Sequence, residues 1–217
     1  MENAALDNHV ISVNIPTKSD FNDVAQESIN DCVTIIKYNA LNSALYCNCK
    51  YSRCANADRT NGKCVSNGGL NASIMFVDAF PSELESVTGA FTDEKGYLLN
   101  EILKGTKYKR SDIYCTNMIK CHNIQDTNAD MIFNCLESYF YKEIELVKPQ
   151  KIIFTYSAFQ ACLKYKVIPH FGNINYFTKV HTNIRNLEID MFIVYDIKAL
   201  TIQQRDAFKQ GMKMILQ

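Results

Sequence analysis

Residues 112–121 read DIYCTNMIKC. The first five form a short run with an apolar centre, Ile113-Tyr114-Cys115, rich in strand formers, which predicts a strand covered on both faces, as in a parallel sheet. A polar Thr116-Asn117 pair then marks the strand's end. Three more runs have the same character: SIMFVD at 73–78, KIIFTY at 151–156 and MFIVYD at 191–196. Between them the apolar residues recur with helical spacing, at 96–103, 128–147, 157–165 and 200–216, and an earlier helix is expected over 20–45. Strands alternating with helices predict an α/β fold, a three-layer α/β/α sandwich with a short, mostly parallel central sheet. Sites in such sheets form beyond the carboxyl ends of the strands. Here that means residues 78–80, 116–120, 156–157 and 195–198.

The chain has 217 residues, enough for one domain with a real core. Hydrophobic residues make up 47% and charged residues 21%, which excludes a disordered chain. Lys plus Arg and Asp plus Glu are 23 each, so the chain is not a general polycation that coats nucleic acid. Basic residues do cluster locally. Lys104, Lys107, Lys109 and Arg110 share one loop, and Lys198, Arg205, Lys209 and Lys213 lie in or near the last helix. No apolar run approaches the ~20 residues of a membrane span. The opening MENAALDNHV has no basic start and no apolar h-region, so an intracellular place, cytoplasm or nucleoid, and no membrane are expected.

Nine cysteines are present. Cys32, Cys115 and Cys162 sit inside apolar patterns and read as core. The run CNCKYSRC at 47–54 is polar and does not. Its thiols, with Cys121 and Cys135 far downstream, suit zinc or an iron–sulfur cluster.

The run IYCTNMIKC at 113–121 followed by Cys135 resembles the TN-hydrophobic-hydrophobic-KC…C signature of the iron–sulfur, family-four uracil-DNA glycosylases. The likeness continues in order. A cysteine pair lies upstream, ending at Cys54. IMFVDAFPSE at 74–83 stands where that family has a strand and a Gly-Glu-x-Pro-Gly loop. GYLLNEIL at 96–103 resembles its Gly-x-Leu-Leu helix, and EIELVKPQKIIFTYSAFQA at 143–161 its I-x-L-x-x-P strand and turn. The resemblance implies one uracil-DNA glycosylase-like domain over 1–217, with a helical lead at 1–46, the best-matched core at 47–165, and a C-terminal strand and helix at 166–217. It also implies a [4Fe–4S] cluster acting as a structural staple on Cys54, Cys121, Cys135 and Cys49, with Cys47 as the substitute for Cys49. Zinc on the same thiolates is the alternative.

Base excision requires reading a flipped base, stacking on it, and stabilising charge as the bond to the sugar breaks. By the resemblance Asn117 offers one donor and one acceptor to a base edge, and Phe91 offers the ring. The third requirement is poorly met. The family's Gly-Glu-x-Pro-Gly loop has become Asp78-Ala79-Phe80-Pro81-Ser82-Glu83. Its late His-Pro motif is replaced by Tyr195-Asp196, and the four histidines (9, 122, 170 and 181) lie elsewhere. Asp78, Glu83 and Tyr195 are the catalytic candidates that remain. The expectation is a divergent iron–sulfur, DNA-binding protein of this fold that lacks ordinary uracil excision and acts in replication, repair or transcription. Its partners are DNA, with single strands in view, and a protein of such a complex. An active glycosylase for uracil or a modified pyrimidine is one alternative. A protein-interaction module with a vestigial pocket is the other.

Overall fold

The computed structural model describes residues 18–47, 63–122, 129–172 and 174–217. Expectations for residues 1–17 and for Cys49 and Cys54 lie outside them.

The described chain opens with α1 (Lys18–Cys47). Then come β1 (Ile74–Asp78), the single turn α2 (Glu85–Thr88), α3 (Glu94–Leu103) and β2 (Ile113–Asn117). Next, α4 (Ala129–Cys135) runs through a π-helical turn (Leu136–Phe140) into α5 (Tyr141–Val147). The chain closes with β3 (Lys151–Thr155), α6 (Tyr156–Lys164), β4 (Val180–Ile184), β5 (Leu187–Val194) and α7 (Ile202–Ile215). The sheet order is β2-β1-β3-β5-β4, parallel throughout except for β4 against β5.

Side chains alternate across a strand, and that alternation builds two cores. Met75, Val77, Tyr114, Ile152, Phe154 and Ile193 face the layer of α4, α5 and α6. Ile74, Phe76, Ile113, Cys115, Ile153 and Val194 face α3 and α7. The expected three-layer sandwich is therefore present. Each central strand buries both faces, which explains the unbroken apolar runs.

Three local features differ from the sequence reading. Asn117 belongs to β2, paired in register with Asp78. Strand β5 starts at Leu187, and the unexpected β4 turns into it through Arg185-Asn186, at φ 53° and 63°. Two left-handed residues make the tight turn that suits a twisted hairpin. The strand β4, VHTNI, is too short and polar to stand out by pattern, with only Thr182 and Ile184 buried. Finally, the outer edge of β2 is closed by the segment before β1. Asn67 and Cys115 exchange backbone hydrogen bonds at 2.9 and 2.7 Å, and Lys63 pairs with Cys121.

Candidate functional site

The carboxyl ends of β1, β3 and β5 carry a continuous hydrogen-bonded line. Asp78 ends β1. Its Oδ1 accepts from the Ala79 N–H at 2.9 Å and from Thr155 Oγ1 at 2.8 Å, while Lys95 Nζ donates to its Oδ2 at 2.6 Å. Lys95 also donates to Glu85 Oε2 at 2.7 Å. Across β3, the Ser157 N–H and O–H both donate to Asp196 Oδ1, at 2.9 and 2.8 Å.

Sequence reasoning missed Lys95 and Glu85. Lys95 has only 1% and Glu85 0% of its surface exposed, against 13% for the side chain of Asp78. Burial opposes the Lys95 charge, but Asp78 and Glu85 outweigh it and raise the ammonium above its usual range. Helix α3 presents Lys95 here because Asp93 caps it, accepting from the Lys95 N–H at 3.0 Å. Burial works against the Asp93 charge as well. The Ser82 hydroxyl and Lys95 outweigh it and hold the carboxyl below its usual range. A signal for Glu85 lies in Ser82-x-x-Glu85, a capping-box spacing. The Glu85 N–H donates to Ser82 Oγ at 3.2 Å and the Ser82 N–H donates back to Glu85 Oε2 at 2.7 Å.

Asn117 and Phe91 flank this ion triad. Asn117 is 1% exposed. Its amide donates to Cys64 Sγ at 3.3 Å, while its Oδ1 meets no donor among the described residues. Phe91 is 2% exposed and left-handed at φ 56°. Its N–H donates to Glu85 Oε1 at 2.6 Å, and its ring packs on Phe76 at 4.9 Å between centroids. The Lys95 ammonium stands 5.0 Å from the same ring. Gly96 permits this, since a Cβ there would lie 1.9 Å from the Phe91 carbonyl oxygen. The structure thus gathers Asp78, Glu85 and Phe91 around a lysine ammonium, with Asn117 beside Asp78 in the sheet.

The other two candidates stand apart from the triad. Glu83 is exposed on the loop before α2, with its carbonyl accepting from the Ser86 hydroxyl at 2.6 Å. Tyr195 lies past β5 in an aromatic group, 4.1 Å from Tyr176 and 5.5 Å from Phe177 between ring centroids.

Of the cysteines, Cys121 is buried just past β2 and Cys135 ends α4. The chain leading into the cysteine-rich segment, at the end of α1, packs its Leu45 with Tyr139 and Cys135, and Tyr139 donates to the Ala44 carbonyl at 3.5 Å. The chain leaving that segment pairs Lys63 with Cys121. Both ends of the segment are thus anchored beside the downstream cysteines. Among the described residues no three potential ligands converge on a metal site, and Cys49 and Cys54 lie outside them. A second buried ion pair holds this corner together. Lys120 donates to both Glu143 oxygens at 2.8 Å and to Ser66 Oγ at 3.1 Å, and Thr116 donates to Glu143 Oε2 at 2.7 Å.

The two basic clusters meet on the α3–α7 face. Lys209 pairs with Glu101 at 2.9 Å, and a Cβ on Gly105 would lie 3.4 Å from Lys213 Nζ. Lys198, at the strand-end pole, reaches Asp93 at 3.4 Å.

A mostly parallel sheet with helices on both faces and a polar site across its strand ends defines an α/β sandwich protein. Residues 65–211 match the uracil DNA glycosylase superfamily, and the chain belongs to that superfamily. The match begins after Cys47, Cys49 and Cys54. A stretch of 89 residues is 32% identical to a type-4 uracil-DNA glycosylase of Archaeoglobus fulgidus, covering 40% of this chain and 44% of that one. Similar proteins of the same description occur in Thermotoga maritima (32% over 99 residues, 44% and 50% covered) and Pyrobaculum aerophilum (32% over 89 residues, 40% and 45%). The chain spans about half the length of the curated relatives it matches. Among the described residues no helix is long and apolar enough to cross a membrane.

Proposed function

We propose that this chain is a DNA-binding member of the superfamily that does not excise uracil in the ordinary way, and that serves replication, repair or transcription. One observation carries the reading: the Lys95 ammonium fills the space between Asp78, Glu85 and the Phe91 ring. A base stacked on Phe91 needs that face. A water-activating carboxylate needs free lone pairs, and three of about four acceptor sites on Asp78 are already taken, one of them by the Lys95 ammonium. The place after β5 where the family carries a histidine holds Tyr195 and Asp196. A second carboxylate there opposes an anionic leaving base rather than stabilising it, and Asp196 is already engaged with Ser157. DNA binding is supported by the superfamily membership and by the cations gathered on the α3–α7 face. Such binding weakens steeply with salt.

The cysteines fit an iron–sulfur cluster, because the segment bearing Cys47, Cys49 and Cys54 starts beside Cys135 and ends beside Cys121. Cys49 (or Cys47), Cys54, Cys121 and Cys135 would hold it, and zinc is the alternative occupant of the same thiolates. The group supplies cross-linking of distant segments.

The test is a glycosylase assay on protein purified without oxygen, with bound iron confirmed. Uracil-containing single-stranded and duplex oligonucleotides are incubated with the chain and with Asn117→Ala, and abasic sites are counted. The expected result is no enzyme-dependent product, with oligonucleotide binding that Asn117→Ala weakens. Abasic sites that form with the wild type and vanish in the variant would overturn the reading and establish an active glycosylase.

A further inference from the structure

Tyr156, Tyr176 and Tyr195 form a continuous cluster of tilted rings at the carboxyl end of the sheet. Ring centroids are 5.8 Å apart for Tyr156 and Tyr176, and 4.1 Å for Tyr176 and Tyr195. Large aromatics usually seek burial, yet Tyr156 is 42% and Tyr176 36% exposed. The three come from different elements. Tyr156 opens α6, Tyr195 follows β5, and Tyr176 sits on the loop before β4.

That loop is held in an unfavourable shape. Phe177 is left-handed at φ 61°, a conformation that bulky residues seldom adopt and that persists only when its surroundings impose it. Its N–H donates to the Ile193 carbonyl at 2.8 Å, and its ring meets Phe208 at 6.2 Å between centroids. The ring lies so close to α7 that a Cβ on Gly211 would come within 2.3 Å of it. The loop is therefore clamped through Phe177, and its neighbour Tyr176 is held outward over Tyr195. Core packing alone does not need an exposed ring there.

From this geometry we infer that the three tyrosines are a stacking platform for unpaired nucleobases of a single DNA strand. The inference rests on the nucleic-acid reading above. Every base offers a π-face, so such stacking tolerates sequence. The place suits a strand. The platform adjoins the strand-end pole, and Lys198 lies three residues beyond Tyr195, where it pairs with Asp93 at 3.4 Å. The nearby acid, Asp196, is occupied by Ser157.

The test compares wild type, Tyr176→Ala, Tyr156→Ala and Tyr176→Phe, all as the metal-loaded full chain, with equal melting temperatures as the folding control. The probes are a single-stranded oligothymidylate, the same length of abasic-spacer strand, and a duplex. The expected result is that each alanine variant weakens the oligothymidylate about tenfold or more. Tyr176→Phe stays within about twofold, because a ring suffices for stacking. The abasic strand should not distinguish the proteins, and the salt slope should stay constant, because phosphates are untouched. Alanine variants that bind oligothymidylate as the wild type does overturn the platform. So does an equal loss on the abasic strand, or a loss confined to duplex. A wild type that binds none of the three probes overturns instead the nucleic-acid reading on which the platform rests.

Discussion

At the scale of single residues, Lys95 decides most about this molecule. It neutralises the buried Glu85 and the partly buried Asp78, and breaking a buried ion pair from one side costs about 3–5 kcal/mol because uncompensated charge is left inside. Lys95→Ala should lose an amount of that order in urea unfolding. The pH dependence follows from the two shifted groups. The Lys95 pKa is raised on folding, so its contribution is complete below the ordinary value of 10.5 and is lost as pH climbs through the folded value. The Asp93 pKa is lowered on folding, so its contribution is present above 3.8 and is lost as pH falls through the folded value. Melting temperature should therefore hold level between those limits as far as these groups go, and fall on either side. The thiols divide as sharply. Burial pushes Cys64 and Cys115 up to about 12 and Cys162 higher still, whereas Cys32 is exposed on α1. The thiolate is the nucleophile. Iodoacetamide at mildly alkaline pH should label Cys32 first and spare the other three until the chain unfolds, as peptide mass spectrometry would read out.

At the scale of elements, the fit of α7 against the tyrosine-bearing loop is made by one missing side chain. Gly211→Ala places a methyl against the Phe177 ring. Overpacking of this kind costs about 1–3 kcal/mol, and it should also displace Tyr176. Calorimetry and oligothymidylate binding should both register it. The elements also divide by how legible they are in the sequence. The strands β1, β2 and β3 are legible because both faces are buried and the apolar run is continuous. The edge strand β4 is not, because one of its faces is wet and its five residues bury only two side chains. Asp78, Asn117 and Phe91 could be placed by motif and strand end. Lys95 could not, because a lysine in the first turn of a helix ordinarily faces water, and the capping spacing that marks Glu85 carries no sign of its ammonium partner. Only the convergence of β1, α2 and α3 makes them partners, and periodicity carries no record of that convergence.

At the scale of the whole molecule, two cores share one sheet, and residues 63–67 strap its β2 edge. If the cysteine thiolates hold a cluster, Cys121→Ser and Cys135→Ser should each lose bound iron and melt at lower temperature, while Cys32→Ser should keep both; metal analysis beside calorimetry checks this. The sheet order has a further consequence, one of time. Strand β1 lies between β2 and β3, yet it is made first of the three. Met75, Phe76 and Val77 are each 0% exposed once folded. At synthesis rates of about 5–20 residues per second, the roughly 80 residues from Ile74 to Thr155 take about 4–16 s to appear. Throughout that interval β1 is a strand with four consecutive apolar residues and an edge open to any neighbouring chain. The yield of folded protein should therefore depend on how crowded the ribosomes are and how fast they run.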